Sequence, residues 1–302
     1  MPNVKIPLNS FLEYLQIEKN YSKYTIAYYQ KDIEDFFDFM KEEAITNIHE
    51  ITHTEARLYL TLLHKKKYAR RSVARKTSSL RSFFKYLSRE EKITNNPFSV
   101  VSLPKQVKHL PQFLYSEELE KLFAVSSRDT PLGQRNQVLL ELLYATGIRV
   151  SECCDIKLQD IDFNLGTILI NGKGNKQRYV PFGSFAQEAM EYYLKDGREA
   201  LLKKSKQPAS SKHLFLNYLG EPITPRGVRM VLNELVKQAS STLHISPHVL
   251  RHTFATHMLN EGADLRVVQE LLGHASLSST QLYTHVTKER LQQTYNQFHP
   301  RA

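Results

Sequence analysis

A proline-rich stretch near residue 100 is the feature that most constrains how this chain can fold. Three prolines fall within 15 residues, at Pro97, Pro104 and Pro111, and the residues between them have no helical period. Because proline fits neither a helix interior nor a central strand, the stretch predicts an extended linker. A length of 302 residues also suits two domains. We therefore predict an N-terminal domain over residues 1–96, a linker over 97–112 and a second domain over 113–302.

The first domain has a helical pattern throughout. Apolar residues recur at i, i+3, i+4 and i+7 in segments that begin near residues 8, 22, 52 and 72. Ser or Thr stands at the start of the later segments, where it can cap a helix. No segment alternates in the manner of a strand. The sequence predicts a compact domain of four helices.

Positive charge is concentrated in this first domain. Residues 1–108 hold 19 Lys and Arg against 12 Asp and Glu, and between Ala56 and Arg89 there are 11 bases and no acid. A field of one sign over a folded segment favours a polyanion such as nucleic acid, with an acidic protein or a membrane surface as alternatives. The bases that we select as candidate DNA contacts are Arg70, Arg71, Arg75, Lys76 and Arg81.

Several classes of protein are disfavoured by composition. No apolar run approaches the roughly 20 residues that span a bilayer, and the first residues lack the apolar core of a secretory signal. The two cysteines, Cys153 and Cys154, are adjacent, which is poor geometry for a disulfide. We expect a protein of the cytoplasm that is associated with the nucleoid.

The second domain combines helices with a small sheet. Residues 167–170 and 178–181 have strand patterns, and the Asn-Gly pair between them predicts a hairpin whose tip carries Lys173. Upstream, Arg149 follows a glycine break and begins a helix between two apolar residues. Such an arginine is either a buried ion pair or a fixed anion ligand. The fold class is therefore mainly α, with a helical first domain and an α+β second domain that contains a small antiparallel sheet.

Residues 246–285 contain five of the 12 histidines of the chain. His248, Arg251 and His252 fall at i, i+3 and i+4 on one face of a predicted helix, and Tyr283 follows later. Imidazole, guanidinium and phenol groups together indicate chemistry at a phosphate. His248 and His252 have the spacing of metal ligands, but Arg251 is a fixed cation between them and no Glu or Cys is adjacent. We predict no metal site.

Five separated motifs resemble those of the tyrosine recombinases, or phage integrase family, and most of all the bacterial Xer recombinases. They are Thr-Gly-Ile-Arg-Val-Ser-Glu at 146–152, Gly-Lys-Gly-Asn-Lys at 172–176, His-Val-Leu-Arg-His at 248–252, Leu-Leu-Gly-His at 271–274 and Tyr-Thr-His at 283–285. The resemblance covers essentially the whole chain. It implies a SAM-like core-binding domain of four helices, a linker, and a catalytic domain.

The resemblance also implies a covalent mechanism. Tyr283 would attack a DNA phosphorus and form a 3′-phosphotyrosyl link with release of a 5′ hydroxyl. A phenol with a pKa near 10 is a weak nucleophile at neutral pH, so His248 would accept or relay its proton. His252 would orient its neighbours rather than react.

The remaining roles concern the phosphate. Arg149 and Arg251 would bind its non-bridging oxygens and stabilise the pentacoordinate state. His274 would donate a further hydrogen bond, and Lys173 would protonate the leaving 5′ oxygen. The covalent link conserves the phosphodiester energy, so the reaction requires no cofactor, neither a metal nor ATP.

The partners implied by the resemblance are double-stranded DNA and other recombinases. Strand exchange needs a tetramer on two duplexes, which would include a second, related Xer recombinase, with a DNA translocase as activator. Residues 288–302 resemble a C-terminal extension that docks on a neighbouring protomer. The expected task is the resolution of chromosome dimers at a dif-type site. The alternatives are an integrase of a phage or transposon, a topoisomerase, a non-catalytic DNA-binding protein and a metal-dependent nuclease.

Overall fold

The computed structural model describes residues 5–19, 21–101, 113–172, 176–206, 212–239, 245–273 and 288–302. The chain divides into two units, Met1–His109 and Leu110–Ala302, each with its own apolar core. The first unit is helical in its described part, and the second adds a small antiparallel sheet to its helices. The predicted fold class is confirmed.

The described residues of the N-terminal unit form the four predicted helices and one 3-10 turn at Ile48–Glu50. The helices are α1 (Lys5–Ile17), α2 (Lys23–Glu42), α3 (His53–Lys65) and α4 (Arg70–Arg89). Ser22 caps α2 with its side-chain oxygen, which accepts from the backbone N–H of Thr25. Thr52 and Glu55 form a capping box at the start of α3.

The N-terminal unit extends beyond the boundary that the prolines predicted. Phe98 is fully buried and Val101 is buried, and both pack in the core of this unit. Their backbone carbonyls accept hydrogen bonds from the Arg81 guanidinium, from Nε at 3.0 Å and from Nη2 at 2.9 Å. Residues 97–101, which were predicted to be part of the linker, therefore belong to the N-terminal unit. The rest of the predicted linker, 102–112, lies outside the described residues.

The second unit is built around a buried helix. Its helices are α5 (Ser116–Ala124), α6 (Pro131–Thr146), α7 (Val150–Asp155), α8 (Ser184–Lys195), α9 (Gly197–Leu202), α10 (Pro225–Ala239), α11 (Pro247–Asn260), α12 (Leu265–Leu272) and α13 (Lys288–Phe298), with a 3-10 turn at Leu158–Asp160. Nearly every residue of α6 from Gln134 to Thr146 is buried. Such a helix has no solvent face, which explains why its sequence from Val138 to Tyr144 is apolar except at Glu141.

The sheet of the second unit has three antiparallel strands in the order β1-β2-β3. They are β1 (Ile161–Asp162), β2 (Thr167–Asn171) and β3 (Gln177–Pro181). The hairpin prediction is confirmed up to its tip, since Asn171 pairs with Gln177 and the N–H of Gly172 donates to the carbonyl of Lys176 at 2.8 Å. Two isolated bridges lie outside these strands and join Lys157 to His213 and Leu216 to Pro222.

The C-terminal residues pack on their own unit. Tyr295 and His299 are buried, and Arg301 forms a two-pronged ion pair with the buried Glu141 of α6, at 2.6 and 3.0 Å. The hydroxyl of Ser184 donates to the carbonyl oxygen of Ala302 at 3.2 Å. In this structure of a single chain the segment packs on the chain that carries it, and its docking on a neighbouring protomer stays a prediction.

Two features are absent from the described residues. None of the helices there has the length and apolar character to cross a membrane. No cluster of three or more His, Cys, Asp or Glu side chains in that part of the chain could hold a metal ion.

Candidate active site

The turn between α6 and α7 places Arg149 at the site. Gly147 ends α6 in the left-handed conformation, with φ of 57°. A Cβ at this position would lie 2.5 Å from Cδ1 of Phe254 and 2.8 Å from Cδ2 of Leu272, so both the dihedral angle and the packing require glycine. The chain then turns directly into α7, for which Arg149 is the N-cap residue.

Arg149 is both paired and accessible. Its Nη1 lies 2.7 Å from Oε1 of Glu152, and its backbone N–H donates to Oε2 of the same carboxylate at 2.9 Å. Its Nη2 donates to the carbonyl of Gly273 at 3.2 Å. The Arg149 side chain is nevertheless 40% exposed. Of the two roles that the sequence left open, ion pair and anion ligand, the first is observed and the second remains sterically available.

Arg251, on α11, joins the ends of two helices. Its Nη1 donates to the carbonyl of Gly147 and its Nη2 to the carbonyl of Leu272, both at 2.7 Å. Both carbonyls lie at helix C-termini, where no intrahelical donor is available. Burial lowers the pKa of Arg251 to about 10, and the positive charge of Arg149 adds to this effect. Arg251 thus stays protonated at neutral pH, although its cation is poorly solvated.

Arg149 and Arg251 lie side by side because they bond adjacent carbonyls, those of Gly273 and Leu272. Two neighbouring guanidiniums repel one another, and both retain N–H groups beyond those used here. An anion placed between them relieves that repulsion. A phosphate has the charge and the oxygen geometry that arginine binds through paired hydrogen bonds.

Two residues of the site were missed in the sequence. Glu152 is 5% exposed and bridges Arg149 to Arg178, which lies on β3. Burial alone would raise the pKa of Glu152, but its bonds to Arg178 and Arg149 lower it below the ordinary value. The available signals were an acid three residues after a helix N-cap, for Glu152, and a cation on the same strand face as the buried Val180, for Arg178.

Of the other residues predicted for the site, the structure describes two histidines and leaves three residues undescribed. His248 is exposed in the first turn of α11, which Ser246 caps and Pro247 begins, and His252 is half-buried one turn later. Lys173, His274 and Tyr283 lie outside the described residues, so their predicted roles stay predictions. The structure brings together Arg149 and Arg251.

The five candidate DNA contacts of α4 differ in exposure. Arg70 and Arg71 are exposed at its first turn. The Lys76 side chain is only 3% exposed and pairs with Asp32 and Asp35 of α2, so a DNA phosphate cannot reach it in the folded unit. The other two are partly exposed but internally bonded, Arg75 to Asp32 and Arg81 to the carbonyls of 98 and 101. The acid-free run of α4 was misleading because its acidic partners lie on α2.

Comparison with known proteins gives a consistent result. The profile described as "Phage integrase, N-terminal SAM-like domain" matches residues 8–91, and that described as "Phage integrase family" matches residues 112–290. The chain is 60% identical to "Tyrosine recombinase XerC" of Anoxybacillus flavithermus over 302 residues, which is 100% of both chains. It is 56% identical to the protein of the same name from Bacillus subtilis, over 100% of this chain and 99% of the other.

The fold is also similar to a solved structure. The crystal structure of the XerH site-specific recombinase bound to difH substrate aligns with a TM-score of 0.67 at 21% identity, over 96% of this chain and 82% of that one. The chain therefore belongs to the phage integrase family, and within it to the XerC-type tyrosine recombinases.

Proposed function

We propose that this site-specific recombinase exchanges DNA strands at a dif-type site in the resolution of chromosome dimers, with Tyr283 as its nucleophile. A dif-type target is supported by the 60% and 56% identity, over the full chain, to proteins named XerC. It is also supported by the similar fold of XerH, which was crystallised with its difH substrate. The observation that carries the chemistry is the pair of guanidiniums, Arg149 and Arg251, fixed side by side with Arg149 partly exposed.

The two arginines hold the scissile phosphate in this mechanism. Each bonds one or both non-bridging oxygens, whose negative charge increases as the phosphorus becomes pentacoordinate. The guanidiniums are already bonded to helix-end carbonyls and to Glu152, so they need little reorganisation when the charge develops. Fixed donors of this kind are the largest contribution to rate in many enzymes.

The cleavage step is an exchange of one phosphodiester for another. The phenol oxygen of Tyr283 forms a bond to phosphorus while the bond from phosphorus to the 5′ oxygen breaks. The phenol proton passes to His248, which is exposed at the start of α11. Lys173 gives a proton to the departing 5′ oxygen.

Strand exchange is the same step in reverse. The 5′ hydroxyl of another strand attacks the phosphotyrosyl phosphorus and gives its proton back to Lys173, and the phenol leaves with the proton that His248 returns. The number of phosphodiester bonds is the same before and after, so the reaction is balanced without a source of energy. His274 donates a hydrogen bond to the phosphate in both directions.

The assembly needed for exchange extends beyond one chain. Four protomers on two duplexes bring the strands together, and two of them are a second, related Xer recombinase of the XerD type. A DNA translocase activates the complex on the nucleoid. The exposed bases of the N-terminal unit, among them Arg70 and Arg71, bind the DNA backbone near the cleavage site.

A nicked duplex carrying a dif-type site tests this proposal, because loss of the short fragment after cleavage traps the covalent intermediate. We expect an adduct that survives SDS and forms equally well in EDTA. Tyr283→Phe removes the nucleophile and abolishes the adduct, whereas Tyr218→Phe, which changes an exposed tyrosine of the same unit, leaves it intact. Absence of an adduct with the wild-type protein, or its loss in EDTA, would refute the mechanism.

A further inference from the structure

Arg178 lies outside the predicted catalytic set, yet three parts of the catalytic unit meet at its guanidinium. It belongs to β3, where its Cα is paired with that of Ile170 in β2. Its side chain is 14% exposed and lies on the same strand face as Val180, which is buried. A cation in this position is unfavourable unless its donors are paired, so its partners indicate its role.

The first partner is Glu152, the carboxylate that also holds Arg149. Nη2 of Arg178 lies 2.8 Å from Oε2, and Nη1 lies 3.3 Å from Oε1, in a fork-like arrangement. The same two oxygens accept from the side chain and the backbone N–H of Arg149. The two arginines therefore share one buried carboxylate, and any displacement of that carboxylate also displaces Arg149.

The second partner is the C-terminal end of α12. Nε of Arg178 donates to the carbonyl of Leu271 at 2.9 Å. The next two carbonyls, of Leu272 and Gly273, accept from Arg251 and Arg149. Three consecutive carbonyls thus accept from three guanidiniums, at the negative end of the helix dipole. Arg178 is packed so closely here that a Cβ on Gly273 would lie 2.8 Å from its Cζ.

We propose that Arg178 is a positioning residue that fixes Arg149 for phosphate binding, through Glu152 and through the end of α12. This inference rests on the proposed function, because only there does Arg149 act on a phosphate. Arg178 itself does not touch the DNA. Without it, Glu152 keeps Arg149 as a partner but loses its fixed place, so the Arg149 guanidinium meets the phosphate in several orientations. A small error of position slows the chemical step far more than it weakens binding.

Single-turnover cleavage of the nicked duplex, with protein in excess, measures that chemical step, and a gel shift measures binding. We expect Arg178→Gln to cleave roughly 10- to 100-fold more slowly, as for other residues that orient a catalytic group, while DNA affinity stays close to that of the wild type. Arg178→Lys keeps the charge but cannot form the fork to both oxygens of Glu152. It should unfold near the wild-type temperature and still cleave slowly.

Arg128→Gln is the matched control, because it also removes an arginine–glutamate pair of this unit, the exposed pair with Glu188 at 2.7 Å. This variant should cleave at the wild-type rate. Wild-type rates in both Arg178 variants would overturn the inference.

The route through Arg149 is tested by a double variant. The effects of coupled groups are not additive, so Arg178→Gln placed in an Arg149→Gln protein should slow cleavage by less than about threefold.

A duplex with a methylphosphonate at the cleavage position supplies the second test, since a methyl group there replaces the charged oxygen that Arg149 binds. On this substrate the wild type and Arg178→Gln should cleave at similar rates. Rate losses that multiply in the double variant would contradict the proposed route. A wild-type protein that forms no adduct would instead refute the proposed function.

Discussion

At the scale of single residues, the described part of the site combines three arginines, Arg149, Arg178 and Arg251, with one carboxylate, that of Glu152. Arg251 has a pKa lowered to about 10 by burial and by the charge of Arg149. Glu152 is the one carboxylate that the described structure places on Arg149 and Arg178. The local excess of positive charge is therefore inherent in the folded protein, and a bound anion would offset it. This is the charge balance expected of a phosphate site rather than of a structural ion pair.

A second titratable residue, His299, bears on stability. Its ring stacks on Tyr295, with centroids 4.7 Å apart, and its Nδ1 accepts from the backbone N–H of Arg301 at 3.1 Å. Burial lowers its pKa to about 3, whereas an unfolded histidine titrates near pH 6.5. Between these values the unfolded chain binds the extra proton. The contribution of His299 to stability is therefore complete above pH 6.5 and is lost as the pH falls.

We predict that the unfolding free energy of the catalytic unit decreases by about 1.4 kcal/mol per pH unit below pH 6.5 through this histidine alone. His299→Phe keeps an aromatic ring in the stack and should remove this part of the slope. Urea unfolding at a series of pH values between 6.5 and 4.5 measures it. His49→Phe, which changes an exposed histidine of the other unit, should leave the slope unchanged. An equal slope in wild type and His299→Phe would show that protonation of His299 is not coupled to unfolding.

At the scale of secondary-structure elements, the C-terminal end of α12 organises the site. The helix ends at Gly273, whose φ of 65° is in the left-handed region. The carbonyls of 271–273 accept from three arginines that come from α7, α11 and β3. Each arginine caps the helix and is itself oriented by it. A change that displaces the end of α12 is therefore expected to displace the three guanidiniums, and the reverse is also expected.

Gly273→Ala is expected to disturb both. A residue with a Cβ in the left-handed conformation costs about 1–2 kcal/mol. Here the new Cβ would also lie 2.8 Å from Cζ of Arg178, which is too close, so the guanidinium would have to move. Gly166→Ala is a matched control, because its φ is 61° but its Cβ would meet its nearest neighbour at an ordinary 3.4 Å. We predict that both variants lower stability in urea unfolding and that only Gly273→Ala also slows cleavage of the nicked duplex. Cleavage at the wild-type rate by Gly273→Ala would show that the conformation of the end of α12 does not affect the cleavage step.

Elements set by local sequence could be predicted, and contacts between distant residues could not. Ser22 and Thr52 cap helices as expected, and Asn171 opens the hairpin. In contrast, the burial of Lys76 depends on Asp32 and Asp35, which are more than 40 positions away on another helix. Helical periodicity shows which residues share a face, but not which charges another helix places against that face. For the same reason Arg149 was predicted as a site residue while its link to Arg178 was missed.

At the scale of the whole molecule, the excess of bases in the N-terminal unit serves two purposes. Part of it neutralises acids inside the unit. Asp32 is fully buried, accepts from Ser79 at 2.8 Å and pairs with Arg75 and Lys76. Other bases of the acid-free run are exposed, as at Arg57, Arg70 and Arg71, and these can reach a polyanion. Net charge alone therefore overstates the surface that is available to DNA.

Substitution at one exposed and one buried base of α4 should separate these purposes. Each phosphate contact contributes about 0.9 to the slope of log binding constant against log salt concentration. Arg71→Gln should weaken DNA binding and reduce that slope by about 0.9, with little change in stability. Lys76→Gln should leave the slope of the folded protein unchanged and lower the stability of the N-terminal unit by about 1–3 kcal/mol, since it removes a charged hydrogen-bond donor from Asp32 and Asp35 while Asp32 keeps Arg75 and Ser79. Salt titrations of binding and hydrogen exchange of the α4 amides in the full chain measure the two effects. A reduced salt slope with native exchange rates in Lys76→Gln would instead identify Lys76 as a DNA contact.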